Sequence, residues 1–197
     1  MPYLLNVTNP LDKNNLGASV AEALLERDKV AIEDIEQFVG AGIYAIYYSG
    51  HFTPYNHVTA NKIPIYVGKA VSPGARKGNF GLNTDPGQAL YKRLKEHAES
   101  IRQTSNIEIN DFLCRYLVVD DIWIPLGEAL LIAKFSPIWN KIIDGFGNHD
   151  PGKGRYQQLR SRWDTLHPGR SWAHKCQERG ETVEQIVSEL SAYLENT

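Results

Sequence analysis

The segment Gly42-Ile43-Tyr44-Ala45-Ile46-Tyr47-Tyr48 and its echo, Ile63-Pro64-Ile65-Tyr66-Val67-Gly68-Lys69, decide how the chain is read. Both are rich in Ile, Val and Tyr, which suit a pleated, half-buried surface. Side chains alternate along a strand, so Ile43, Ala45 and Tyr47 share one face and Tyr44, Ile46 and Tyr48 the other. Ser72-Pro73-Gly74 stops the second strand. Two neighbouring strands, each carrying a tyrosine, could pack as an ordinary hairpin or present both hydroxyls to one site. These residues alone leave that choice open.

Working outward, residues 1–15 are turn-rich and read as an irregular arm. Val20, Leu24 and Leu25 give an amphipathic helix over 16–27. A second short helix is expected over 33–38, released by Gly40. The segment 49–62, with Gly50, Pro54, Asn56 and Asn61, reads as a loop insertion that is long for a hairpin. Residues 70–87 are loop, and 88–103 form a helix with Leu90, Leu94, His97 and Ile101 on one face. Phe112 to Val119 is a third strand. Pro125 opens a helix that runs to Phe135, and Pro137 stops it. A last helix spans 182–194. The pattern predicts an α+β domain: a small three-stranded antiparallel sheet flanked by helices, with helical extensions at both ends. It is read as one domain over 1–197, with an N-terminal arm and helices (1–40), a core (41–140) and a C-terminal segment (141–197).

The 197 residues are 42% hydrophobic and 22% charged, the make-up of an ordinary globule. No apolar run is long enough to span a membrane and no secretory signal opens the chain. Cys114 and Cys176 make no motif, so a reducing cytoplasm is expected. The net charge of −2 argues against a polyanionic partner, but the distribution does not. Acids gather towards both ends, whereas 153–179 carries Lys153, Arg155, Arg160, Arg162, Arg170, Lys175 and Arg179. Such a stretch is either a solvated face or a surface for phosphates.

Arg93 and His97 are four apart on a helix and so project from one side. An arginine fork matches a phosphate, and a histidine exchanges protons near neutrality. An exposed polar face would show the same spacing. Glu128 is the only acid between Ile122 and Phe135. It could bind a cation or favour the helix dipole. Asn140 could bond a phosphate, orient a neighbour or cap a turn. His149, His167 and His174 lack the spacing of a structural zinc site.

Gly42-Ile43-Tyr44, Tyr66-Val67-Gly68, Arg93-Leu94-Lys95-Glu96-His97, Glu128-Ala129-Leu130-Leu131-Ile132 and Pro137-Ile138-Trp139-Asn140 stand in the order of the GIY-YIG nucleases, which the chain resembles over about 42–140. It is most similar to their type II restriction endonucleases, the branch that cleaves CCGCGG. The resemblance implies a DNA endonuclease with one Mg²⁺ per active site and the site residues Tyr44, Tyr66, Arg93, His97, Glu128 and Asn140. Glu128 is the implied metal ligand. It also implies a homodimer on a palindrome in double-stranded DNA, with a cognate DNA methyltransferase as functional partner. Lys69, Arg76, Lys77, Lys153, Arg155, Arg160, Arg162, His167 and Arg170 are the expected DNA contacts, the segment 145–170 being the expected reader of bases. The aromatics Phe146, Trp163 and Trp172 are expected to cover the core. Two departures stand out: the gap over 49–62 is longer than usual, and Val67 replaces the usual isoleucine. A structure-specific repair or recombination nuclease, or a DNA-binding protein without activity, are the competing readings.

Overall fold

A computed structural model describes residues 12–73 and 85–196. Four strands, β1 (Val30–Ala31), β2 (Gly42–Tyr48), β3 (Pro64–Ala70) and β4 (Phe112–Val118), form one antiparallel sheet in the order β1-β4-β2-β3. The helices are α1 (Lys13–Leu25), α2 (Asn56–Asn61), α3 (Ala89–Arg102), α4 (Ile124–Phe135), α5 (Ile138–Lys141), α6 (Arg162–Leu166) and α7 (Val183–Glu195). Among the described residues no helix is long and apolar enough to cross a membrane.

Strand β2 is central, and all seven of its residues are buried. That explains its unbroken apolar run: a strand covered on both faces has no side to give to water. Tyr44, Ile46 and Tyr48 enter one core with α3, α5 and residues of α6 and α7. Ile43, Ala45 and Tyr47 enter a second core beneath α1 and α4. The face assignment made from alternation therefore holds.

Three expectations need correction. The sheet has four strands rather than three, because Val30 and Ala31 pair with Cys114 and Leu113 at its edge. Two residues are too few to carry a strand's periodicity. Residues 33–38 form no helix: Ile32 N–H donates to the Phe112 carbonyl, Ile35 is buried, and Phe38 stacks on Tyr116 at 4.8 Å. Tertiary packing there overrides local propensity. The segment 49–62 is no plain loop but a 3₁₀ turn, Thr53–Tyr55, followed by α2. Its Tyr55 and Val58 are fully buried.

Tyr55 bolts this insertion to the C-terminal segment. Trp139 Nε1–H donates to the Tyr55 hydroxyl at 2.9 Å, and that hydroxyl bonds His167 Nε2. His167 Nδ1 bonds Asn106 Oδ1 at 2.9 Å. The Trp139, Tyr55 and His167 side chains thus satisfy one another and Asn106, as burial requires. A second knot joins Arg170 and Asp164, whose side chains are 2% and 1% exposed. All five guanidinium N–H groups of Arg170 are used: two on Asp164, the others on the carbonyls of Gly145, Phe146 and Asn148. Ser161 caps α6 by accepting from Asp164 N–H and donates its own hydroxyl to the Asp164 carboxylate. Gly145, at φ 104°, packs against Ser161 where a Cβ would collide with it. The segment 141–197 is thus built into the main core.

Burial pulls the His167 pKa from its ordinary 6.5 down to about 3. Between those values the unfolded chain binds a proton that the folded protein refuses. Stability must therefore fall as pH falls through this window, by up to about 1.4 kcal/mol per pH unit for one such group. We expect His167→Gln to flatten the loss of stability below pH 6.5 relative to wild type. Denaturant unfolding at pH 7, 5.5 and 4.5 measures it, and equal slopes in the two proteins would contradict the assignment.

Candidate active site

The β2–β3 register sets Tyr44 opposite Gly68 and Ile46 opposite Tyr66. Tyr44 and Tyr66 therefore lie diagonally on one face, their ring centroids 6.2 Å apart. Gly68 makes this possible, because a Cβ there would overlap the Tyr44 hydroxyl and the edge of the Tyr66 ring. Gly42 has a similar reason on the other side of β2, where a Cβ would run into the Leu117 carbonyl of β4. Both glycines of the signature are fixed by close approach.

Helix α3 covers this face with Leu90, Leu94, His97 and Ile101 turned inward. His97 Nε2 lies 2.6 Å from the Tyr44 hydroxyl, and both residues are buried. Burial pushes the Tyr44 hydroxyl well above its ordinary range; nearby Tyr66 adds to this, and the Arg93 guanidinium opposes it. Burial holds His97 well below its ordinary value, with Arg93, His149 and Arg170 acting in the same direction. The phenol is thus protonated and the imidazole neutral, so Tyr44 O–H donates to Nε2. A neutral imidazole accepting at Nε2 keeps its proton on Nδ1. Tyr66, mostly buried, is also raised by burial and lowered by Arg93.

Arg93 stands one turn before His97 and points at the mouth of the site. Its guanidinium donates to the Gly147 carbonyl at 2.9 Å, to His149 Nε2 at 2.5 Å and to Glu96 at 3.1 Å. Glu128 comes from the opposite layer, on α4, and its charge reaches both tyrosines. Its carboxylate meets Lys69 Nζ at 2.5 Å, the side chains being 19% and 39% exposed. One half-buried carboxylate already facing a cation suits Mg²⁺, which takes one or two protein oxygens and fills its shell with water and phosphate. Among the described residues no group of three or more His, Cys, Asp or Glu could hold a metal by itself.

Asn140 reaches the site through the sheet. Its Oδ1 accepts from Val67 N–H and its Nδ2 donates to the Val67 carbonyl, both at 2.8 Å. Strand β3 has only β2 as neighbour, and the Asn140 amide takes a strand's place at this part of the outer edge. Both polar groups of the Asn140 amide are thus engaged by one residue of a neighbouring strand. Val67 lies between Tyr66 and Gly68, so the amide fixes the segment that carries both.

The expected DNA contacts divide. Lys153 and Arg155 are exposed, and among the described residues no acid pairs with them. Lys69 is committed to Glu128. Arg160 Nε donates to the Ala173 carbonyl, and Arg162 pairs with Glu181 and Glu189. His167 and Arg170 need correction as DNA contacts, because both are interior and fully engaged in the networks that hold the C-terminal segment. Arg76 and Lys77 lie outside the described residues. The sequence reading also missed part of the site's wall. Phe146, expected as core cover, is buried but stacks on His97, and His149 bonds Arg93. No spacing rule brings either to the site; only the Arg170 clamp does.

Gly68→Ala should destabilise the protein by ~1–3 kcal/mol through overpacking against the tyrosines. Gly180→Ala, where a Cβ meets open space, should change stability little. Denaturant midpoints of the two variants compare them; equal midpoints would mean that the tyrosine pair yields freely.

The residues at this site and their order find their counterpart in a known family. The family model described as the Eco29kI GIY-YIG domain matches residues 36–194. No curated protein matches the chain. The match takes in β2, β3 and β4, the tyrosine pair, α3, Glu128, Asn140 and nearly all of the C-terminal segment, and on that extent the chain belongs to the Eco29kI GIY-YIG family of restriction endonucleases.

Proposed function

We propose that the chain is a type II restriction endonuclease that hydrolyses DNA phosphodiesters at a short GC-rich palindrome, with CCGCGG as the first site to test. It would act as a homodimer, one subunit for each strand, with one Mg²⁺ per active site and a cognate methyltransferase protecting the host's own sites. The observation that carries the chemistry is the buried hydrogen bond from Tyr44 to His97, with Arg93 and Glu128 beside it.

A tyrosine that titrates above its ordinary value near pH ~10 is a poor base by itself. Here its own proton has somewhere to go. As Tyr44 takes a proton from the attacking water, its hydroxyl proton passes to His97 Nε2, and the hydroxide formed attacks phosphorus. The phosphorus–oxygen bond to the 3′ oxygen breaks, that oxygen takes a proton from solvent, and His97 returns its proton to solvent, leaving a 5′ phosphate and a 3′ hydroxyl. Arg93, one turn away, offers N–H donors to the phosphate as charge develops on it, and Tyr66 a further donor. In the resting protein Tyr44 is shut from solvent and Arg93 is occupied by Gly147 and His149. A phosphate that takes over those hydrogen bonds opens the way for water. Mg²⁺, held by Glu128 in place of Lys69, would stabilise the leaving 3′ oxygen. Asn140 keeps β3 in register while this happens.

Two substitutions test the site. Tyr44→Phe removes one oxygen and should lower the cleavage rate by ~10² or more. Glu128→Ala should abolish cleavage while leaving specific binding in Ca²⁺ largely intact. The assay is plasmid DNA with Mg²⁺, where discrete fragments support site-specific cutting. Structure-dependent nicking would favour a repair nuclease, and an uncut plasmid a binding protein. A tenth of wild-type cleavage retained by Glu128→Ala would remove that residue from the site.

Lys153 and Arg155 form a 3₁₀ turn after Gly152, both exposed and, among the described residues, paired with no acid. If Arg155 reads a base, Arg155→Ala should cost ~1–3 kcal/mol on the cognate duplex and much less on a scrambled one. Lys153→Ala should weaken both alike and flatten the salt dependence by about one counterion. Binding to each duplex at two salt concentrations with Ca²⁺ separates the roles, and equal losses everywhere would leave this turn a phosphate contact only.

A further inference from the structure

Phe146 belongs to none of the motifs, and it lies outside the segment 42–140 that carries them. Its ring is 1% exposed and lies flat on His97, with centroids 4.3 Å apart and planes at 15°. The same ring stands edge-on to Tyr66 at 5.0 Å and 78°. Trp139 and Trp163 close its far side at 4.5 and 5.2 Å. The backbone is equally fixed, since Arg170 donates to the carbonyls of Gly145, Phe146 and Asn148. One clamped side chain therefore touches two residues of the active site at once.

We propose that Phe146 is a positioning residue for the hydrolysis: its stacked ring holds the His97 imidazole dry and in the orientation in which Nε2 faces the Tyr44 hydroxyl. An imidazole at the end of a helical side chain can rotate about its last bond, and one hydrogen bond does not set the ring plane. A flat aromatic neighbour does, and it excludes the water that would otherwise bond the ring or help it to charge. The groups facing His97 are Tyr44 from β2, Tyr66 from β3, Arg93 from its own helix, and His149 and Arg170 from the C-terminal segment. None is a carboxylate. With the ring gone, water would become the one new partner able to favour the imidazolium. His97 must be neutral to take the Tyr44 proton, so the stack preserves the acceptor at acidic pH. The inference rests on the proposed role of His97 as acceptor, but the stack can be tested without cleavage.

The variant is Phe146→Leu, with Phe146→Met as a second if the first does not fold. Leu190→Ala, a buried position on α7 away from the site, controls for lost stability. Imidazole carbon–proton resonances are followed by NMR against pH, His97 being assigned by its loss in His97→Gln. In wild type the His97 signal should titrate well below 6.5; in Phe146→Leu its midpoint should rise towards that value, and in Leu190→Ala it should stay. Cleavage by Phe146→Leu should then show a deficit at pH 5.5 up to about tenfold greater than at pH 8, as for a histidine returned to its ordinary pKa. The control should be depressed evenly. A His97 midpoint unmoved in the variant, or already ordinary in wild type, would overturn the proposal. A shifted midpoint without any cleavage in wild type would leave the stack standing and refute the proposed function instead.

Discussion

Tyr44 and His97 share a hydrogen bond that neither can exchange for one to water, because β2, α3 and the C-terminal segment close over both. An unpaired buried hydroxyl costs about 1–3 kcal/mol, so the pair is selected by burial as well as by chemistry. The tyrosine pair needs the β2–β3 register, since a slip of one residue in β3 would turn Tyr66 to the other core and away from Tyr44. The register in turn leans on small details of the edge strand. Gly68 leaves room for two rings, and the Asn140 amide satisfies the free N–H and carbonyl of Val67. The placement of the two tyrosines and the stability of the sheet are therefore the same constraint at this edge.

The C-terminal segment supplies the fourth wall. A buried arginine–carboxylate pair is weak evidence of stability, because desolvation offsets much of the Coulombic gain. What Arg170 adds is placement: three of its five donors go to backbone carbonyls between Gly145 and Asn148, a stretch that no helix or strand would hold. That stretch carries Phe146 to His97 and the Gly147 carbonyl to Arg93. The Tyr55–His167 bond does similar work for the insertion, tying a 3₁₀ turn and α2 to Trp139 and α6. Insertion and C-terminal segment are parts of one packed body with the sheet between them and α4.

Much of this was legible in the sequence where the signal is periodic. Strands β2, β3 and β4 and helices α3, α4 and α7 follow from alternation, apolar stripes and punctuation at Pro125 and Pro137. The extent of the insertion's order was not, because Gly50, Pro54 and Asn56 are turn residues and α2 is only six residues long. Residues 33–38 failed for the opposite reason: a helical spacing of Ile35 and Phe38 is satisfied just as well by an extended chain that docks both on β4 and its neighbours. Within the site, Tyr44, Tyr66, Arg93 and His97 meet because strand register and helix spacing are local rules. In the sequence Arg170 reads as a base contact, because an arginine beside glycines looks the same whether it faces DNA or a carboxylate. Its partner Asp164 sits six residues earlier, at a spacing that no regular element enforces, and only the tertiary fold brings the two together.

The same sorting of cations explains how a chain of net charge −2 can handle a polyanion. Arg162 and Arg179 share Glu181, Arg102 is held between Glu33 and Glu99, and Arg170 is spent in the interior. These pairs cancel locally and contribute little field at a distance, being either screened at the surface or buried. Other cations have no acid partner among the described residues, Lys153 and Arg155 on one exposed turn among them, and Arg93 stands at the mouth of the site with donors to exchange. A cation that meets a phosphate releases a counterion and adds to sequence-independent affinity, whereas one already paired with an acid adds little. Phosphate contacts of that kind position a protein on a duplex, and contacts to base edges distinguish one sequence from another.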